Sequence, residues 1–100
     1  MTEKNQEYKG VAEKFKAIGH PLRIAIFSML CKAECNRLTV KNIYEKLQLD
    51  QPSASRHLGI MRSTGILERV QEAGNTFYCI CKSNPYVACI KTCFDKQIFD

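Results

Sequence analysis

Two short amphipathic segments separated by a tight turn, over residues 39–65, constrain the fold more than any other part of the chain. The Thr39 hydroxyl can cap the first segment, and the segment should end near Gln48. Its apolar residues recur at the spacing that places them on one face of a helix: Val40, Ile43, Tyr44 and Leu47. The pattern therefore predicts a helix that buries one face.

The second segment has its own start and stop signals. Asp50 is a second N-cap, and Pro52 lies in the first helical turn, where its missing N–H costs nothing. Gly65 closes the helix. The inward stripe consists of Ala54, Leu58 and Met61. Two capped helices joined by so short a turn predict a helix-turn-helix over residues 39–65.

The outward face of the second helix carries short or forked hydrogen-bonding side chains in its first two turns: Gln51, Ser53, Ser55, Arg56 and His57. The N-terminal part of a recognition helix enters the major groove, where arginine can read guanine and glutamine can read adenine. Either side chain can instead contact phosphate, which the helix N-terminus also attracts. The alternative is an ordinary solvated face. The order of the flanking elements favours DNA.

Length and charge agree with that interpretation. A chain of 100 residues is a single domain whose core is small enough that pairing with a second copy would help bury apolar surface. The net charge of +5 favours a polyanionic partner. No apolar run is long enough to span a bilayer, and the first ten residues lack an apolar signal core, so we expect a cytoplasmic protein with no membrane partner.

The remaining elements follow from periodicity and breakers. Residues 1–7 read as a flexible polar tail, and a first helix runs from Tyr8 to about Ala17, before Gly19. A second helix starts at Pro21 and is apolar almost all round, which predicts central burial. Residues 32–37 read as a polar connection. Apolar positions of a last helix, predicted over residues 85–99, are Val87, Ile90, Phe94 and Ile98.

Residues 66–82 predict a β-hairpin. Strand-like runs at residues 67–70 and 76–81 flank a turn signal at residues 72–75. Arg69, Asn75 and Thr76 lie at or near this hairpin, where they could touch phosphate or the minor groove; the alternative is a surface loop. The fold class is therefore α+β and mostly α, a winged helix-turn-helix with about five helices and a two-stranded wing.

The chain resembles the ArsR/SmtB family of winged-helix repressors. Four segments carry the resemblance: residues 18–24 (IGHPLRI), 38–43 (LTVKNI), 51–58 (QPSASRHL) and 63–67 (STGIL). It covers residues 11–82 in register and the last helix more loosely. The resemblance implies a homodimer formed by the first and last helices, two recognition helices in successive major grooves of a two-fold operator, and an effector that weakens DNA binding.

The family's standard metal sites are not expected in this chain. Its metal box, Glu-Leu-Cys-Val-Cys-Asp, aligns with residues 37–42, which read RLTVKN and contain no soft or anionic ligand. At the family's other zinc site the nearest residues by spacing are Asn84, Tyr86, Gln97 and Asp100, of which only Asp100 would ligate well. The identity of any bound metal therefore stays unknown.

Six cysteines form three pairs that each share a face: Cys31/Cys35, Cys79/Cys81 and Cys89/Cys93. Some relatives sense persulfide or oxidants through one cysteine on the second helix and one on the last. Cys31 or Cys35 with Cys89 or Cys93 could play those parts, although the relatives' second-helix cysteine aligns with Ser28 and their last-helix cysteine lies beyond Cys93. Thiolates could instead bind a soft metal or arsenite. The third interpretation, favoured for Cys79/Cys81, is that these two thiols partly fill the core and that several of the other cysteines are buried small hydrophobes.

Catalysis finds little support, so we expect no enzyme. No nucleophile, base and orienting acid recur at usable spacing, and no Cys-x-x-Cys begins a helix. His20 is expected to make a structural hydrogen bond and His57 to meet phosphate. The sequence predicts a repressor whose inducer acts on cysteine. The alternatives are a winged-helix module that binds protein and a small thiol redox protein, both of which strong salt dependence of duplex binding would exclude.

Overall fold

The computed structural model describes residues 2–96, with side-chain surroundings from residue 5 onward. Within that part of the chain, five α-helices and three strands occur. The helices are α1 (Thr2–Ile18), α2 (Pro21–Lys32), α3 (Val40–Leu47), α4 (Gln51–Ser63) and α5 (Pro85–Asp95). The strands are β1 (Arg37–Thr39), β2 (Leu67–Glu72) and β3 (Asn75–Ile80), and a 3-10 turn, Glu34–Asn36, precedes β1. No described helix is long and apolar enough to cross a membrane.

Side-chain caps begin four of the helices. Thr39 Oγ1 accepts the Asn42 N–H at 3.1 Å and Asp50 Oδ2 accepts the Ser53 N–H at 3.0 Å, which confirms both predicted caps. His20 Nδ1 accepts the Leu22 N–H at 3.1 Å, the structural hydrogen bond expected of it. Asn84 caps α5 in the same way. Each cap satisfies one N–H that the first helical turn leaves without a partner.

The first helix starts earlier than predicted. Thr2 begins α1, so residues 2–7 are helical where a flexible tail was expected, and residue 1 lies outside the described part. The Tyr86 hydroxyl of α5 donates to the Glu7 carboxylate at 3.1 Å. Residues 2–7 are polar but contain good helix formers, so their composition fits either a tail or a helix. The contact between Tyr86 and Glu7 favours the helix.

The predicted polar connection after α2 is an ordered turn that leads into a third strand. Cys35 and Asn36 adopt positive φ angles of 58° and 53°. The Asn36 side-chain amide donates to the Leu30 and Cys31 carbonyls, both at 3.1 Å, and so satisfies the end of α2. β1 then pairs antiparallel with β3, which widens the predicted hairpin to a sheet in the order β1-β3-β2.

The wing is the β2–β3 hairpin, which has the predicted place and longer strands. Ala73 and Gly74 form its tip, with φ angles of 52° and 81°. Positive φ angles at both central residues are what a two-residue hairpin turn needs if it is to match the twist of its strands. Leu67 pairs with Ile80 at the base and Glu72 with Asn75 at the tip. The base is buried and the tip projects away from the core.

The core forms where α2 meets α4, α5 and the base of the sheet. Ile26, Phe27 and Leu30 of α2 have no exposed surface, which agrees with the central burial expected of this helix. The Phe27 and Phe94 ring centroids are 5.0 Å apart, which packs α5 against α2. The described part of α5 ends at Asp95, before the predicted residue 99. Gln97, Ile98 and Asp100 lie outside the described residues.

Candidate nucleic-acid interface

The exposed face of α4 carries three of the five polar side chains that the sequence predicts there. Ala54, Leu58 and Met61 have no exposed surface and hold the helix on the core. Gln51, Ser55 and Arg56 lie on the opposite, exposed side of its N-terminal half. Among the described residues, Arg56 has no hydrogen-bond or salt-bridge partner, so its guanidinium is available to a ligand. The face therefore presents the N–H donors of the Arg56 guanidinium beside the polar side chains of Gln51 and Ser55.

The N-terminus of α4 is closed by its own cap. Besides accepting the Ser53 N–H, Asp50 accepts the Ser53 hydroxyl at 2.8 Å through its second oxygen. These hydrogen bonds lower the pKa of Asp50, so the carboxylate is charged at neutral pH. The negative charge sits where the sequence analysis placed a phosphate, and Ser53 is half-buried and engaged. The terminus is therefore a poorer anion site than predicted, and the side chains farther along α4 carry the exposed face.

His57 turns away from the exposed face. Its ring centroid lies 4.7 Å from that of His20, and its Nδ1 is buried without a hydrogen-bond partner among the described residues. Burial lowers the pKa of His57, and the nearby His20, Arg23 and Arg56 add to the effect. A neutral, half-buried imidazole is not placed to meet phosphate as expected. It packs α4 against the start of α2 instead.

The exposed face continues one turn beyond the predicted residues. Gly59, Arg62 and Ser63 are exposed, and a Cβ built on Gly59 would meet nothing within 4 Å. Gly59 follows Ser55 by four positions and Arg56 by three, so it lies beside both on the helix surface. Gly59, Arg62 and Ser63 lie beyond the first two turns, to which the prediction was limited; helical periodicity from Ser55 and Arg56 extends the exposed face to them.

The wing separates its three predicted residues. Arg69 pairs with Tyr78, and Thr76 lies two positions from Tyr78, so both occupy the face that carries this buried ring. Gln71, which the sequence analysis did not single out, joins them, because its amide lies 3.5 Å from the Thr76 hydroxyl. Asn75 occupies the opposite face, paired with Glu72. Arg69 and Thr76 can thus touch one ligand together, whereas Asn75 is placed apart from them.

The opposite face of the sheet is closed by an arginine. Arg37 lies over the Phe77 ring, with its guanidinium carbon 4.4 Å from the ring centroid, and forms a 2.6 Å salt bridge with Glu72. Cys79 and Cys81 lie on this same face, half-buried and hydrogen-bonded to Glu68. They are half-buried and are not among the residues packed against the main core cluster, so they fill the interior only in part. Tyr78 and Ile80 supply the buried face of β3, because side chains alternate along a strand.

The remaining cysteines differ in exposure. Cys31 is half-buried, and burial followed by the Asp95 carboxylate raises the pKa of its thiol to about 11. Cys35, Cys89 and Cys93 are exposed. Cys31 lines a small cavity with Phe94 and Asp95, whereas Cys89 and Cys93 lie on the side of α5 away from the buried Val87. Cys31 thus differs in exposure from both thiols of α5.

All six cysteines are free, and they remain distributed as separate pairs. Within the described residues, no three His, Cys, Asp or Glu side chains are grouped to hold a metal ion.

Comparison with known proteins places this geometry in a family. A helix-turn-helix domain model matches residues 18–70. An HTH-type transcriptional regulator of Methanocaldococcus jannaschii is 37% identical over 75 residues, which cover 75% of this chain and 82% of that protein. The transcriptional repressor PagR of Bacillus anthracis is 31% identical in a structural match with a TM-score of 0.76, covering 89% of this chain and 97% of PagR.

A third structure shows the same fold at lower identity. Mb0332 of Mycobacterium bovis, described as a homodimeric winged helix-turn-helix DNA-binding domain and a possible ArsR-family transcriptional regulator, has a TM-score of 0.78 at 21% identity. The match covers 97% of this chain and 88% of that one. With its exposed α4 face, its β2–β3 wing and these similarities, the chain belongs to the helix-turn-helix domain family and is a transcriptional regulator of the winged helix-turn-helix type.

Proposed function

We propose that this regulator is a repressor that binds duplex operator DNA as a homodimer, with α4 in the major groove and the wing against the adjoining backbone. The single observation that carries the proposal is the exposed N-terminal half of α4, where Gln51, Ser55 and the unpartnered Arg56 lie together above a fully buried stripe. A helix so presented fits the major groove, where arginine can donate to both acceptors of guanine.

The wing supports a second contact. Arg69 and Thr76 share one face with Gln71, which gives one cation and two neutral polar groups for phosphate or the minor groove. Asn75 is proposed as a separate contact at the tip. Such a regulator acts where the chromosome lies, so we place it in the cytoplasm. PagR, a transcriptional repressor, supports repression as the regulatory outcome.

Exposed aromatic residues support the dimer. Tyr8 is 62% exposed and Phe15 59% exposed on α1, and Tyr86 is 40% exposed on α5. Large apolar side chains left open on two adjoining helices mark a surface that another protein covers. The homodimeric Mb0332 supports a second copy as that protein. A two-fold dimer presents two α4 helices to successive major grooves.

The DNA-binding proposal is tested by fluorescence anisotropy with duplex from the chain's own promoter. Arg56→Ala should weaken binding roughly tenfold to a hundredfold, because one good bidentate base contact contributes about 1–3 kcal/mol. Lys32→Ala is the charge-matched control, since Lys32 is exposed at the end of α2 and away from α4's outer face. Unchanged affinity in Arg56→Ala would refute the recognition-helix assignment.

Salt separates the proposed function from the alternative classes. Phosphate contacts release counterions, so operator affinity should fall steeply and linearly on a log-log plot as salt rises. A protein-binding winged helix or a thiol redox protein would show no specific duplex binding. Weak, sequence-independent binding that salt abolishes would mean that the basic surface charge alone attracts DNA, and it would contradict a specific operator.

For induction we propose that an effector acts on exposed thiols, with Cys89 and Cys93 as the primary pair and Cys35 as the accessible thiol beyond α2. Cys31 is the least reactive candidate, because its raised pKa keeps it protonated at neutral pH. Residues one turn apart on a helix have Cβ atoms about 5–6 Å apart, beyond the roughly 3.5–4.5 Å of a disulfide. A Cys89–Cys93 disulfide would therefore distort α5. A soft metal ion or arsenite that bridges the two thiolates would distort the helix less.

The effector is identified by titrating the reduced, metal-free protein on DNA with an organic persulfide, arsenite and cadmium in turn. Release by persulfide with a mass shift at Cys89 or Cys93 supports a redox effector, and release by stoichiometric arsenite or cadmium supports a thiolate site. Cys89→Ser with Cys93→Ser should abolish release. Cys79→Ser with Cys81→Ser is the matched control. Release that survives loss of Cys89 and Cys93 would exclude the α5 pair.

A further inference from the structure

A cavity lies between α1, α2 and the C-terminal half of α4. Its volume is about 300 Å³, at the small end of the range for ligand pockets, and its wall is mostly apolar. It is lined by Glu13, Lys16, Ala17, Arg23, Ile60 and Thr64. None of these residues belongs to the predicted DNA contacts or to the cysteine pairs, so neither part of the proposed function accounts for the cavity.

Charge in the cavity favours an anion. Lys16 and Arg23 provide two cations against the single carboxylate of Glu13. Arg23 Nε is buried without a hydrogen-bond partner among the described residues, and buried donors in proteins are nearly always paired.

We propose that this cavity binds a small organic carboxylate, whose oxygens accept hydrogen bonds from Arg23 and pair with Lys16 while its apolar body packs against Ala17 and Ile60. A guanidinium suits a planar carboxylate because its donors match the two oxygens. Ala17 is 3% exposed and Ile60 36% exposed, so the two provide a floor and an open rim of apolar surface. The ligand class is therefore an amphiphilic monoanion rather than a bare ion.

Occupancy of the cavity would act on the recognition helix. Ile60 belongs to α4 and Thr64 is its C-cap, whereas Lys16 and Ala17 belong to α1, so the ligand bridges α1 and the C-terminal end of α4. Any difference in ligand affinity between the free and DNA-bound forms changes DNA affinity by the same factor. This consequence rests on the proposed DNA binding, but the binding site itself does not.

The site is tested without DNA by two-dimensional amide NMR of the intact protein, titrated with benzoate. Acetate carries the charge without the apolar body, and benzamide carries the body without the charge. Benzoate should give saturable shifts at Ala17, Ile60 and Thr64, and acetate and benzamide should bind more than about tenfold more weakly. Equal binding of benzamide, or no saturable shift with benzoate, would overturn the proposal.

Variants separate the site from a general charge effect. Arg23→Gln and Lys16→Glu should each weaken benzoate binding more than about tenfold, and the dispersed amide spectrum reports that each variant is folded. Lys16 is exposed, so its replacement does not disturb the core. Lys82→Glu makes the same charge change on an exposed residue outside the cavity lining and should leave binding unchanged. Equal weakening by Lys82→Glu would overturn the assignment.

A DNA phosphate could supply the same anionic oxygens, and two arms distinguish the sources. Inorganic phosphate that shifts the three amides as strongly as benzoate would replace the proposal with a backbone contact. Loss of operator binding in Arg23→Gln with unchanged benzoate shifts would do the same. Benzoate binding in a protein that fails to bind operator would instead refute only the proposed function and leave the cavity assignment standing.

Discussion

At the scale of single residues, several side chains make tertiary contacts that the neighbouring sequence does not predict. His57 is the clearest case. Its position on α4 is predicted by helical spacing, yet its ring packs on His20, and burial with three basic neighbours, His20, Arg23 and Arg56, lowers its pKa. The folded protein therefore holds a neutral imidazole at a pH where the unfolded chain already binds a proton.

Stability should consequently fall as the pH drops below the ordinary histidine value of about 6.5. In that window the unfolded state binds more protons than the folded state, so the free energy of unfolding rises with pH. His57→Gln should flatten this part of the profile, measured by urea denaturation between pH 7.5 and 5. Asp50, whose pKa is lowered, contributes only at more acidic pH, as its cap is lost. An unchanged slope in the variant would show that His57 does not titrate differently on folding.

Cys35 carries backbone strain that can be relieved. Its φ of 58° is in the left-handed region, which costs a residue with a Cβ about 1–2 kcal/mol but costs glycine little. Cys35→Gly should therefore raise the free energy of unfolding by up to about 1 kcal/mol, after the entropy that glycine adds to the unfolded chain. Cys35→Ser keeps the Cβ and is the control, with no expected change. A lower free energy of unfolding in Cys35→Gly would contradict the assignment of backbone strain to Cys35.

At the scale of elements, α4 combines a tightly packed inner stripe with an outer face that lacks bulk at its centre. Gly59 has open space around it and makes no use of a positive φ, so nothing within the chain requires glycine there. Glycine inside a helix lowers stability by about 1 kcal/mol relative to alanine. An exposed helix that keeps such a residue next to Arg56 is explained if the helix approaches DNA closely at this position.

Gly59→Gln should therefore separate folding from binding. Helix propensity predicts a gain of about 0.5–1 kcal/mol in the free energy of unfolding, whereas a side chain between α4 and the groove should weaken operator binding more than about tenfold. Thermal denaturation and anisotropy on the same sample measure both. Ser63→Gln, on the next turn of the same face, is a control for added bulk farther from the N-terminus. Stronger or unchanged DNA binding in Gly59→Gln would show that α4 does not approach the major groove closely at Gly59.

At the scale of the whole molecule, one copy leaves apolar surface uncovered. Phe15 and Tyr8 of α1 are more than half exposed, whereas Ala17 and Ile18, at the end of the same helix, are buried within the chain. Phe15→Glu should dissociate the dimer, because a charge in an apolar interface loses hydration without gaining a partner. Light scattering after gel filtration should then report the 11.4 kDa chain mass instead of twice that value.

The matched control is Val70→Glu. Val70 is an exposed apolar residue too, at 36%, but it lies on the wing. That variant should remain dimeric. Phe15→Glu should also lose operator affinity, since one recognition helix then binds alone. A dimer that persists in Phe15→Glu would move the interface away from α1.

The sequence by itself determined the elements whose signals are local. The Thr39 and Asp50 caps, the Ala54, Leu58 and Met61 stripe and the turn at Ala73 and Gly74 each depend on residues within a few positions of one another. Helix periodicity and capping are properties of such short windows, which is why the helix-turn-helix and the wing were predicted nearly in place.

Only the tertiary structure decided how distant segments meet. β1 exists because Arg37 pairs with Cys79, and α1 extends to Thr2 where Glu7 meets Tyr86. The inward turn of His57, the outward face of Cys79 and Cys81, and the cavity at Arg23 likewise depend on which elements pack together. No local pattern encodes these contacts, because burial and pairing are set by the chain's long-range packing, whereas caps and periodicity need only near neighbours.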